Sequence, residues 1–319
     1  MTARFGAYRP IGSGRTRDQV IADCNESCFY GYSARPSPAD ARAYPVHAYE
    51  ELLAVLAAAP QIDVVTHREL CEQPDGGDRV RLTIRHDVDA DIVAALQQAR
   101  LEARFGLRST FFVLHTAAYH GAFARGEFRR NESIIHLYRE IQDLGHEVAL
   151  HNDGLGVYQD HGIDGAEAVR VEVDWLQSNG VDVRGSVAHG SKAFYGAENF
   201  ELFSGRVVAR LRSDAPELQV PTGFEHNGKS AMLRVLDERD IGLEYEGNDI
   251  FFQDRVPVMY GATRTVDGWR WNPFLEEVRA EAAAPRGIVF CPQARVLRDL
   301  ERVTPGRCVV LTVHPCYYG

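Results

Sequence analysis

The feature that most constrains this chain is an alternation through its middle, in which short β-branched apolar runs take turns with amphipathic helical stretches. RVRLTIRHDVD reads as a buried strand, DIVAALQQARLEARFG as a helix closed by Gly106, and STFFVLH as the next strand. NESIIHLYREIQDLG follows as a helix with an N-cap in its first residues and a glycine stop. HEVALH is a third strand, GAEAVRVEVDWLQSNG a third helix and VRGSVAHG a fourth strand. Parallel strands need long crossovers, which run right-handed, so the pattern predicts an α/β fold built on a parallel sheet or barrel. Upstream, VHAYEELLAVLAAAP predicts a helix that stops at Pro60, followed by the short apolar run IDVVT. The middle, from about Phe194 to Asp267, is less regular. The alternation then returns as NPFLEEVRAEAAA, GIVFCP, QARVLRDLERV and the last strand CVVLTVHP. The number and order of the strand-like runs favour one barrel over two domains. The expected organisation is an irregular N-terminal extension over 1–45, rich in Gly, Pro, Ser and Arg, and a single (β/α) barrel domain over 46–319.

A chain of 319 residues buries roughly three quarters of its unfolded surface and needs no disulfide scaffold. The scattered Cys24, Cys28, Cys71, Cys291, Cys308 and Cys316 therefore read as reduced thiols. The pair in CNESC lacks the two further ligands of a structural zinc site. The net charge of −10 argues against nucleic acid, which needs a basic footprint. Apolar runs fall short of the roughly 20 residues that span a bilayer, and MTARFGAYRPIGSGR lacks the apolar core of a secretory signal. The expectation is a cytoplasmic protein with no membrane span.

In a parallel α/β barrel, chemistry collects at the C-terminal ends of the strands. The first run ends in Arg85, His86, Asp87, Val88 and Asp89, the third in His151, Asn152 and Asp153, the fourth in His189, and the last in His314. Asp87 and Asp89 stand two apart, so they share a face, with His86 and Val88 opposite. Two carboxylates on one buried face repel and lose hydration, a cost of several kcal/mol that a divalent cation removes. The competing reading makes them caps of the next helix, a task Asp91 can perform instead. In HEVALHND the same alternation favours His151 as a ligand, with Asp153 continuing its face if the chain stays extended. His146 then makes a structural hydrogen bond. His189 sits between small residues that let a ligand approach, although its glycine equally makes a turn. His314 precedes the strand-ending Pro315 and suits proton donation near neutral pH.

RHDVD, STFFV, GHEVALHND and LTVHP, in that order, resemble the polysaccharide deacetylase superfamily, metal-dependent carbohydrate esterases related to the nodulation deacetylase. The resemblance covers about residues 80 to 315 and is clearest between Leu82 and Asp153. It implies a distorted (β/α) barrel and a divalent metal, zinc first with cobalt, nickel, manganese or iron as alternatives, that activates water against an N-acyl or O-acyl group. It further implies Asp87 as general base and Asp89 as ligand, with an exchange of roles permitted, His151 as the next ligand and His314 as general acid. The family's second histidine falls on Leu155. Asp153, His189 or His161 are the substitutes available. The arginine and tryptophan of the family's later motifs have loose counterparts in Arg184 and in Trp269 or Trp271.

The expected function is a deacetylase acting on an acylated amino sugar or related small metabolite. The alternatives are a catalytically silent sugar-binding barrel, or a metal enzyme of altered chemistry on the same fold.

Overall fold

The computed structural model describes residues 46–124, 127–161, 163–189, 199–203, 224–226, 229–231, 236–247, 258–265, 268–273, 305–306 and 308–317. The 1–45 extension, the CNESC pair, Cys291, GIVFCP, QARVLRDLERV and all but the first two residues of NPFLEEVRAEAAA lie outside the described residues.

In chain order the elements are α1 (Val46–Ala58), β1 (Ile62–Val64), α2 (His67–Glu72), β2 (Val80–Val88), α3 (Ile92–Arg104), β3 (Thr110–Leu114), β4 (Gly121–Ala124), β5 (Glu127–Arg130), α4 (Ile135–Asp143), β6 (Glu147–Asn152), α5 (Gly154–His161), α6 (Gly165–Ser178), β7 (Gly185–Ala188), β8 (Phe224–His226), β9 (Lys229–Ala231), β10 (Tyr245–Glu246), β11 (Val258–Thr265), β12 (Gly268–Pro273) and β13 (Cys308–Val313). The fold is α/β, with a curled, largely parallel sheet of order β10-β7-β6-β3-β2-β13-β11-β12 and β1 paired to β2. The pairs β1–β2, β2–β13, β11–β13, β6–β7 and β7–β10 are parallel, and β11–β12 is antiparallel. No helix among the described residues is long and apolar enough to cross a membrane.

The chain groups into two compact units. One comprises Tyr32–Phe112, Glu140–Val148 and Asp249–Gly319. Its core follows from alternation along β2 and β13: Leu82 and Ile84 share a face with Val309, Leu311 and Val313, and Tyr49, Leu53 and Leu56 of α1 cover them. Fully burying each such side chain stabilises the fold by about 1.5–3 kcal/mol. Asp91 caps α3, its side chain accepting from Ala94 N at 2.9 Å, from a left-handed backbone with φ 33° that aspartate tolerates better than most residues. At the far end Gly106, φ 69°, reverses the chain.

On the outward face of β2, His86 meets Glu102 of α3. His86 Nε2 lies 2.6 Å from Glu102 Oε1, which also accepts from the Tyr49 hydroxyl, while Glu102 Oε2 accepts from the Ser109 hydroxyl. His146 donates through Nε2 to Ala99 O (2.8 Å) and accepts at Nδ1 from Ser109 N (3.1 Å), the structural role expected for it. Glu102 and both histidines are buried.

Among the described residues, the other unit takes in those of Val113–Arg139 and Ala149–Asn248. It contains two elements that the periodicity did not announce. The β4–β5 hairpin, with Gly121 opposite Arg130, is built from strands of four residues, too short for an alternation to register. Helix α5 opens on GLG, a sequence of low helix propensity, and is allowed by close backbone approach: a Cβ on Gly154 would stand 2.8 Å from Gly165 O. Asn131 makes no side-chain cap, since its amide donates to Tyr119 O at 3.2 Å. The hairpin is tied to α6 by Arg130, which grips buried Glu172 through Nε (3.0 Å) and Nη2 (2.7 Å) and lies 4.9 Å over the Trp175 ring. His120 Nε2 completes the Glu172 cluster at 3.0 Å.

Burial raises the Glu102 carboxyl, but the charge and hydrogen bond of His86, the charge of His146 and the Ser109 hydroxyl together hold it below the ordinary value. Its contribution to stability is therefore complete above the unfolded carboxyl value of about 4.3 and is lost as pH falls through the lower, folded one. Glu102→Ala strands three donors and is expected to cost about 3–5 kcal/mol, read as a lower denaturant midpoint. Glu102→Gln, which keeps shape without charge, is expected to lose less.

Candidate metal centre

At the C-terminal end of β2 the inward face carries Arg85 and Asp87. Arg85 clasps Asp87 along both carboxylate edges, Nε to Oδ1 at 2.6 Å and Nη2 to Oδ2 at 2.8 Å, both side chains being buried. The guanidinium carbon stands 5.6 Å from the centre of the Phe112 ring. Arg85 stands two residues before Asp87, so the two share a face of the strand, but only the fold reveals the pairing. Parallel register sets Thr312 beside Arg85 and Val313 beside His86, so the next residue, His314, follows at the level of Asp87. His314 Nε2 lies 3.5 Å from Asp89 Oδ2, with the two side chains 21% and 23% exposed. His314 and Asp89 thus retain access to solvent at the strand ends.

Strands β6 and β7 run in register as His151 beside Val187 and Asn152 beside Ala188, and His189 N continues the ladder to Asn152 O at 2.8 Å. His151 Nδ1 is 3.0 Å from Val187 O. A carbonyl only accepts, so Nδ1 carries the proton and the lone pair belongs to Nε2. The His151 and His189 rings meet edge to face, with centroids 5.0 Å apart.

The chain does not stay extended beyond β6. Asn152 ends the strand and α5 starts at Gly154. Asp153, at the corner, accepts from the Thr116 hydroxyl at 2.9 Å and from Asn199 Nδ2 at 3.1 Å, and its Oδ2 lies 3.6 Å from His189 Nδ1. Its backbone N–H donates to His115 Nε2 at 2.8 Å. Burial raises the Asp153 carboxyl, but the nearby imidazole of His189, the His115 charge and the Thr116 hydroxyl outweigh it, leaving the group strongly acidic.

Asp89, His151 and His189 each present a ligand atom, all within 4.8 Å of one another. A carboxylate oxygen and two imidazole nitrogens suit zinc and its first-row neighbours. His189 thus stands where the sequence left a choice of substitutes for Leu155. Leu155 is buried, with its N–H on Asn199 Oδ1 at 2.7 Å. Asp153 is outside this set and holds Thr116 and Asn199 instead. His161 is exposed and stacks on Phe123, centroids 3.6 Å apart. Arg184 pairs with Asp182 at the surface, and the side chains of Trp269 and Trp271 are outside the described residues. Sequence reasoning missed His115, Thr116 and Asn199. The first two follow STFFVL directly and were open to a strand-end argument, but nothing in GAENF marks Asn199.

Comparison with protein-family models, with curated proteins and with solved structures found no match.

Burial drives His115 down to about 4, the charges of Glu172 and Asp153 offsetting it only in part. Between that value and the unfolded value of about 6.5 the unfolded chain binds a proton that the native chain does not, so stability falls as pH drops through this window, by about 3 kcal/mol. His115→Gln is expected to flatten the slope of unfolding free energy against pH between 4 and 6.5. An unchanged slope would assign the acid sensitivity elsewhere.

Proposed function

We propose that this chain is a metal-dependent hydrolase that removes an N-acyl group, acetyl in the simplest case, from an amino sugar or related small metabolite. The fold is read as a distorted (β/α) barrel of the polysaccharide deacetylase type. The convergence of Asp89, His151 and His189, with His314 at 3.5 Å from Asp89, carries this reading. The resemblance in RHDVD, GHEVALHND and LTVHP supports it, as does a carboxylate, Asp87, two residues from the first ligand.

Asp89, His151 and His189 would hold a divalent cation, zinc by the donor set, which when bound would supply Lewis acidity toward the acyl carbonyl and the attacking water. The protein's own groups do the rest. Asp87 takes the proton from the attacking water. Arg85, bonded along both its edges, fixes the direction of that carboxylate. As the water oxygen bonds to the acyl carbon and the C–N bond breaks, His314 supplies the proton that the departing nitrogen takes. The products are a carboxylate and a free amine.

Purified full-length protein, assayed for bound metal and for acetate released from N-acetylated sugar nucleotides, tests this. Asp89→Ala and His189→Ala are expected to lose metal with the fold retained, since strand-end ligands serve the site more than the core. Asp87→Asn is expected to keep metal and lose turnover by roughly 10²- to 10⁴-fold. Full occupancy in Asp89→Ala and His189→Ala would remove the site. No acetate from any N-acetylated amino sugar would remove the reaction.

The acid is tested by a ratio. His314→Ala should slow amide hydrolysis by roughly 10²- to 10⁴-fold but an activated acetate ester far less, because a good leaving group needs little protonation. Equal losses would make His314 a binding or structural residue.

A further inference from the structure

The corner after β6 contains a polar arrangement that the proposed reaction does not use. Asp153 immediately precedes α5, where aspartate ordinarily caps a helix, yet among the described residues no N–H of that helix donates to its carboxylate. Thr116 and Asn199 instead hold the two oxygens at 2.9 and 3.1 Å. Asn199 is 1% exposed and bonded on every side: Nδ2 also reaches His189 O (2.9 Å), Oδ1 accepts from Leu155 N (2.7 Å), and its carbonyl accepts from Asn152 Nδ2 (2.9 Å). One amide therefore fixes the Asp153 carboxylate and the His189 backbone together. Gly156 leaves the space: a Cβ there would stand 2.5 Å from Asp153 Oδ1. So constrained, Oδ2 lies 3.6 Å from His189 Nδ1.

We propose that Asp153 is a positioning residue that sets the ring tautomer of His189, keeping the proton on Nδ1 and the lone pair on Nε2, with Asn199 as the clamp that aims it. The inference rests on His189 being a ligand of the proposed centre. It assigns the ligating nitrogen and supplies a physical role for a carboxylate outside the converging set. His151 offers the parallel, since Val187 O sets its tautomer in the same sense. The partners differ in charge, a neutral carbonyl against a carboxylate, and a carboxylate behind an imidazole raises the basicity of the nitrogen opposite. His189 is thereby the stronger donor of the two. At 3.6 Å the pair is beyond hydrogen-bond length, so the orienting force at rest is the attraction between the carboxylate and the N–H dipole.

The experiment reads the tautomer directly. Nitrogen chemical shifts of the histidine rings, recorded on metal-free full-length protein at pH 8.5 where an ordinary imidazole is neutral, are expected to show His189 protonated at Nδ1. In Asp153→Ala the population should move toward Nε2–H, the form that solvated imidazole side chains prefer. Asp153→Asn keeps an oxygen acceptor and is expected to keep the tautomer, which covers the case in which the alanine variant fails to fold. Zinc affinity, by competition with a chelator, should fall roughly 10- to 100-fold in Asp153→Ala and by less in Asp153→Asn. His189 found as Nε2–H in the wild type overturns the proposal, and so does an unchanged tautomer in folded Asp153→Ala. The two readings fail separately. Wild-type protein that binds no zinc but shifts its tautomer in Asp153→Ala loses the metal centre and keeps the positioning role. Zinc binding with an indifferent tautomer does the reverse.

Discussion

Glu102 is a carboxylate without solvent, and the groups that neutralise it come from different places in the chain. The Tyr49 hydroxyl arrives from α1, His86 from β2, and Ser109 from the turn into β3. A buried carboxylate left uncompensated costs several kcal/mol, so these segments are held to one arrangement in which three donors meet it. The consequence for the site is geometric. His86 is fixed on the outward face of β2, and because a strand reverses its side chains at every residue, Arg85 and Asp87 are fixed on the inward one. An ion network on one side of the strand thereby sets the direction of the Arg85–Asp87 pair on the other.

Three further buried acids are held by specific donors. Glu172 is held by Arg130 and His120, Asp87 by Arg85, and Asp153 by Thr116 and Asn199. The arrangements differ in what they leave available. Glu172 is saturated and serves to fasten the β4–β5 hairpin to α6. Asp87 is gripped on two edges by a single guanidinium. Asp153 is gripped so that one oxygen faces His189. Hydrogen-bond count alone would not separate these roles, but the identity and direction of the partners do.

The histidines divide in the same way. His146 receives a backbone N–H at one ring nitrogen and donates to a carbonyl with the other, which leaves no lone pair for a ligand. His115 accepts the Asp153 N–H at Nε2 and is kept neutral by burial. His151 has its proton fixed on Nδ1 by Val187 O and is left with one directed lone pair. Placement at the end of a parallel strand raises the prospect that a histidine is functional. The partner of its second nitrogen decides which use it has.

The sequence by itself determined the alternation of elements and, through the period of two, the faces on which Asp87, Asp89 and His151 stand. Those are local properties, set by steric geometry along a strand. It also singled out His189 and His314 as strand-end residues, because an apolar run followed by a histidine is visible without knowing its neighbours. Only the tertiary structure sets His189, rather than Asp153 or His161, in the converging set with Asp89 and His151, since such convergence depends on segments far apart in sequence. The Arg85–Asp87 clasp and the Asn199 clamp were likewise beyond reach. A hydrogen bond spanning 46 residues, such as Asn199 to Asp153, leaves no periodic trace in sequence, because a single polar residue in an irregular segment carries no information about which strand end it meets.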